Sequence, residues 1–202
     1  MSDQIITYIR VNWIEIVGAI LSLIYLYFSI KQKVSLWIYG FLCSAMYIVV
    51  FFQSKFYADM TLQFYYLAVS VYGWIHWQRG TQHAGTELPV TRLTKRLSIY
   101  SGLSLVLIFV LYYYVLANFT DSPIPIADSF TTALSVVATW MLAQKMLENW
   151  LLWIVADALL VGLFIYKDLY PTAILFVIYT IMAVVGYFQW RKTMRLNACA
   201  VI

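Results

Sequence analysis

Charge is the scarcest commodity in this 202-residue chain: Asp, Glu, Lys and Arg together make up 11%. Soluble domains carry about a quarter. With 63% hydrophobic residues and a mean hydropathy of +0.80, a water-exposed surface cannot be assembled from what remains. Cysteine is nearly absent too. Cys43 falls in an apolar run and Cys199 near the C-terminus, so neither a disulfide framework nor a metal cluster follows. Proline occurs four times, two of them (Pro123 and Pro125) in one short link, leaving long stretches free to be helical. The chain also has no Walker motif, nucleophile elbow, HExxH or CxxC. These absences leave no catalytic constellation, no built-in ATPase and no call for a cofactor.

What is present is apolar length. Runs of about 20 apolar residues recur, which defines an all-α polytopic membrane protein with seven expected transmembrane helices. They cover roughly 13–30, 36–52, 57–77, 97–117, 126–142, 149–165 and 170–190. The first dozen residues lack a basic n-region, so the first span reads as retained rather than as a signal peptide. The one sizeable connection, 78–96, is polar and holds Gly80, Gly85 and Pro89, and reads as a tether outside any site.

The net charge of +4 suggests topology rather than nucleic acid. Lys31, Lys33, Arg79, Arg92, Lys95, Arg96, Lys145, Arg191, Lys192 and Arg195 fall on one side of the expected spans; Arg10, Lys55 and Lys167 fall on the other. Ten against three places the N-terminus outside and the C-terminus in the cytoplasm.

Shifting the chain by 113 positions lays 13–77 onto 126–190 without a gap. Trp37 meets Trp150, Tyr57 meets Tyr170, Tyr66 meets Tyr179, Gly73 meets Gly186 and Trp77 meets Trp190. One transmembrane domain spanning 1–202 is therefore expected to be built as 3+1+3 parallel repeats, with 97–117 as the linker helix. Such repeats place a substrate between the halves and point to a transporter.

Polar residues inside the spans form stripes. Glu148-Asn149-Trp150-Leu151-Leu152-Trp153 opens span six, and Trp150, Trp153 and Asp157 stand at i, i+3 and i+7 on one helical face. Indoles beside a carboxylate suit an organic cation, and a charge at that depth must face protein or water. Their repeat partners are Trp37, Gly40 and Ser44. Asp59, Gln63, Tyr66 and Ser70 make a stripe on span three, and Asp128, Thr132, Ser135 and Thr139 one on span five. The candidate substrate-binding set is Trp37, Ser44, Gln63, Tyr66, Thr139, Asn149, Trp150, Trp153, Asp157 and Tyr179. Duller readings stand beside it. Hydroxyls in such helices often bond their own backbone. Trp74, Trp77 and Trp190 read as an interfacial belt, and Glu15 and Asp128 as carboxylates at helix N-termini. His76 and His83 form no site.

These residues resemble the PnuC family of vitamin transporters over roughly 13–190. The resemblance rests on Asn12-Trp13-Ile14-Glu15, Tyr57-Ala58 with Gln63, Tyr72-Gly73-Trp74 through Trp77, Asp128-Ser129 and, most specifically, the run 148–153. It implies a homotrimer in the bacterial inner membrane that moves thiamine, nicotinamide riboside or a related vitamin by facilitated diffusion, with phosphorylation inside trapping the cargo. Nicotinamide riboside carriers are expected to present amides from spans six and seven. This chain instead has Asp157, and Val185 beside Gly186. That departure favours thiamine, with nicotinamide riboside as the alternative and a membrane vitamin receptor that releases nothing as the remoter one.

Overall fold

A computed structural model describes the backbone of residues 2–53, 57–84, 88–120, 122–166 and 168–199, and the side chains of 13, 16–53, 60–80, 88–120, 122–166 and 168–197. Seven helices follow in order: α1 (Ser2–Ile30), α2 (Leu36–Gln53), α3 (Tyr57–Ala84), α4 (Lys95–Phe119), α5 (Pro125–Ala143), α6 (Asn149–Tyr166) and α7 (Tyr170–Cys199). No strand occurs among the described residues. Among the described residues, five helices are long and apolar enough to cross a bilayer, namely α2, α4, α5, α6 and residues 170–197 of α7; residues 16–30 of α1 form a shorter apolar helix. The expected spans two, four, five and six agree with their helices to within two residues. Helices α1, α3 and α7 extend well beyond the expected spans at one polar end, where nothing in the sequence stops them.

The chain divides into two compact units, residues 1–74 and 75–202. In the first, α1 packs on α2. At Gly40 of α2 a Cβ would lie 3.0 Å from both the Tyr25 ring of α1 and the Ser70 hydroxyl of α3, so the small residue lets three helices meet.

In the second unit, α5 is the central helix. Two thirds of its apolar window is buried, against 6% for α4, and α5 packs between α4 and α6 while α6 packs on α7. Pro125 opens α5, and the Asp128 carboxylate in its first turn accepts a bond from the Ser122 hydroxyl at 2.7 Å. That is the expected N-terminal role. Glu15, the other carboxylate given that role, lies outside the described side chains, as do Asp59, His83 and Cys199. Helix α4 turns Leu103, Leu107 and Leu111 outward, each more than half exposed. A row of that kind suits lipid rather than water.

The turns α1–α2 and α5–α6 are built alike. Gln32 (φ 57°) and Lys145 (φ 56°) both adopt the left-handed conformation at a helix C-terminus. The Gln32 N–H donates to the Ser29 carbonyl (3.1 Å) and the Lys33 N–H to Phe28 (3.0 Å). One repeat later the Lys145 N–H donates to Leu142 (2.9 Å) and the Met146 N–H to Met141 (3.0 Å). Each pair closes a Schellman motif, normally a glycine's place. The re-entry bonds, Trp37 to Val34 and Trp150 to Leu147, also repeat at an interval of 113.

The expectation for 78–96 is corrected. Helix α3 runs to Ala84, absorbing the first part of that stretch. The last part docks: the Thr91 N–H donates to the Lys145 carbonyl (3.1 Å) and the Leu147 N–H to the Thr91 carbonyl (2.9 Å). These two bonds pair the Thr91 backbone with the buried turn at 145–147, satisfying groups that a free tether would leave to water. Sequence polarity conveyed only that the segment lies at an interface.

Candidate functional site

The buried face of α6 holds an amide and a carboxylate. Asn149, Trp150, Ala156 and Asp157 are buried on it, and Trp153 is half-buried. At about 100° per residue these five positions fall within about 120° of arc. The face predicted from spacing therefore exists.

Its members differ in what they already hold. Asp157 is 5% exposed, and among the described residues its carboxylate makes no hydrogen bond or ion pair. The Asn149 amide donates to the Met146 carbonyl, while its Oδ1 is buried with no hydrogen-bond partner, as is the Trp150 Nε1. Buried polar groups in this state are costly until something pairs with them.

The Trp150 ring is committed elsewhere. It lies against Gly186, where a Cβ would come within 2.6 Å, and meets Trp190 edge-on at 5.5 Å between centroids. Trp37 lies on Gly73 in the same way, 113 residues earlier. Both matched tryptophans thus fill the space left by a matched glycine, which explains their pairing in the sequence without a ligand. Trp77 and Trp190 are also corrected. They are 1% and 0% exposed, with centroids 6.2 Å apart, and the Trp77 Nε1 donates to the Ala143 carbonyl at 3.0 Å. They form a packed cluster and not an interfacial belt; Trp74, 40% exposed, fits that belt. Lys145, counted among the topology cations, is 1% exposed with its Nζ 4.6 Å over the Trp77 ring. Cation–π attraction makes that burial tolerable, and charge counting from sequence had no means of seeing it.

The α5 stripe resolves into backbone bonds. Thr139 donates to the Ser135 carbonyl (2.7 Å) and Ser135 to Thr131 (2.9 Å), all three side chains being buried. Hydroxyls so engaged offer a ligand only their remaining acceptor capacity. Tyr179 on α7 is half-buried, its ring edge-on to Phe176 at 5.2 Å. In the first unit, Trp37 and Ser44 are buried on α2, and Gln63 and Tyr66 are half-buried on α3. Ser70 donates to the Tyr66 carbonyl at 2.8 Å. Of the candidate set, α6 brings together Asn149, Trp150, Trp153 and Asp157; the others sit on separate helices of their own units.

Two residues were given no role of their own by the sequence reading. Glu148, one residue before α6, accepts a bond from the Leu93 N–H at 2.9 Å. Tyr25 fills the space over Gly40 that Trp153 occupies by position in the second triplet. The shift by 113 carried a signal for the latter: Tyr25, Gly40 and Ser70 fall on Ala138, Trp153 and Ala183, a large residue exchanged between helices with small ones opposite.

The model of a family described as nicotinamide mononucleotide transporter matches residues 12–192. Among curated relatives, the nicotinamide riboside transporter PnuC of Escherichia coli (strain K12) is 28% identical over 91% of this chain and 87% of its own length. The riboflavin/roseoflavin transporter RibM of Streptomyces davaonensis is 26% identical over 90% and 85%. A solved structure titled the vitamin B3 transporter PnuC superposes with a TM-score of 0.74 at 25% identity, covering 96% of this chain and 86% of that one.

Proposed function

The chain belongs to the nicotinamide mononucleotide transporter family, and we propose that it carries nicotinamide riboside across a bacterial inner membrane by facilitated diffusion. The observation that carries this reading is the α6 face, buried yet, among the described residues, holding the Asp157 carboxylate and the Asn149 Oδ1 without hydrogen-bond partners, in a chain similar over 91% of its length to a relative named for that substrate. Nicotinamide riboside joins a permanently charged pyridinium to a polyhydroxylated ribose. A buried carboxylate and an amide oxygen accept from ribose hydroxyls, and the half-buried Trp153 offers a π face to the cation.

The lean toward thiamine is corrected. No relative reported above is named for thiamine, and the charge argument behind it fails on physical grounds. Both vitamins carry a fixed positive ring, and a carboxylate serves a ribose hydroxyl at least as well as an amide does. The 3+1+3 parallel-repeat arrangement, the external N-terminus and the homotrimer belong to this proposal. The repeated turn and the repeated Trp–Gly contact support the first of them.

Purified protein in sealed liposomes tests the reading. Labelled nicotinamide riboside should equilibrate and stop at the outside concentration, faster than thiamine or riboflavin. Accumulation driven by a pH or sodium gradient would replace diffusion with coupled transport. Saturable binding without flux would make the protein a receptor.

A further inference from the structure

Beyond that reading, and resting on it for its transport arm, we propose that residues 88–93 form a strap that seats the start of α6, with Glu148 as the positioning residue that fastens it. Three hydrogen bonds tie the two segments. The Leu93 N–H donates to the Glu148 Oε2 at 2.9 Å, the Thr91 N–H to the Lys145 carbonyl at 3.1 Å and the Leu147 N–H to the Thr91 carbonyl at 2.9 Å. Apolar packing adds to them: Leu93 packs against the buried cluster of Val137, Met141 and Met146. Val90 is 6% exposed, and Leu88 fills the space over Gly80, where a Cβ would come within 2.5 Å of its Cδ1. The strap is thus held at both ends.

What it grips is the turn that sets the register of α6. Lys145 there is in the left-handed region with φ 56°, a conformation costly for a residue with a Cβ. Asn149 and Trp150 follow within five residues, and both are buried with an unpartnered polar atom. A small rotation of this first turn would carry Asn149 and, two turns on, Asp157 away from their direction. The α1–α2 turn has the same backbone, but Ser35 stands where Glu148 does. A carboxylate at position 148 is therefore not needed to make the turn; its observed partner is the strap.

Glu148→Ala and Glu148→Gln, with Thr91→Pro as a second route, test the proposal in full-length protein. Amide hydrogen exchange without substrate comes first. Glu148→Ala should speed exchange at 88–94 and at 147–152, while Glu148→Gln, whose amide oxygen still accepts, stays near the parent. Thr91→Pro, which removes the donor to Lys145 and leaves Glu148 intact, should speed the same segments. For nicotinamide riboside binding, Glu148→Ala should weaken Kd about tenfold, and Glu148→Gln should restore it to within about twofold. Parent-like exchange at 147–152 in both Glu148→Ala and Thr91→Pro overturns the strap. So does a Gln variant as impaired as the Ala variant, since charge and not the bond would then matter. Should the parent bind no nicotinamide riboside, the transport reading fails, and the exchange arm still decides this one.

Discussion

The α1–α2 and α5–α6 turns share a backbone and carry different chemistry. Both close with a left-handed non-glycine residue and the same hydrogen bonds, and both send a tryptophan onto a glycine 36 residues later. Yet Gln32, Ser35, Leu36, Gly40 and Ser44 of the first correspond to Lys145, Glu148, Asn149, Trp153 and Asp157 of the second. Each of these five exchanges adds a charge, an amide or an indole to the second triplet. The shared positions hold the fold; of the exchanged ones, Lys145 and Glu148 take up contacts of their own with Trp77 and Leu93. That division separates Trp150, which has an identical counterpart and a packing role against a glycine, from Trp153 and Asp157, which stand where the first triplet has Gly40 and Ser44.

The comparison breaks most easily at the glycines. Gly186→Ala and Gly73→Ala should each destabilise the protein by about 1–3 kcal/mol, since the new methyl meets an indole with little room to move. Thermal unfolding in detergent checks this, and a large loss at only one of them would end the claim that the two contacts are equivalent. Asp157→Asn comes next. It should leave unfolding within about 1 kcal/mol while weakening nicotinamide riboside about fivefold to tenfold, because a charged acceptor is exchanged for a neutral one. Titration calorimetry reads it, and unchanged affinity would make Asp157 structural.

The left-handed positions sharpen the contrast. Gln32→Gly should shift stability by no more than about 1 kcal/mol, since relief of backbone strain is set against the loss of a side chain that is 8% exposed. Lys145→Gly relieves the same strain but forfeits the contact with Trp77, worth about 0.5–2 kcal/mol, so it should be neutral or destabilising. An equal gain at both sites, by the same melts, would show the cation–π contact to be idle. The smallest effect belongs to Thr139→Val. Among the described residues its hydroxyl bonds only the Ser135 carbonyl, which stays paired within the helix, so affinity and stability should each shift by less than about 0.5 kcal/mol. A tenfold loss of binding would put Thr139 back among the ligand contacts.

Sequence alone determined the class, the helix count, most helix bounds and the register of the internal match. Apolar length and the 3.6-residue period are local properties, legible wherever 18 or so residues are read together. It likewise put Trp150, Trp153 and Asp157 on one face, since spacing along a helix fixes direction. The tertiary structure decided which of those side chains are already engaged. Trp150 on Gly186, Trp77 on Lys145, and Glu148 on Leu93 join residues 36, 68 and 55 positions apart. Contacts at such distances depend on how helices pack and where a connecting segment docks, and no local pattern of hydrophobicity encodes them.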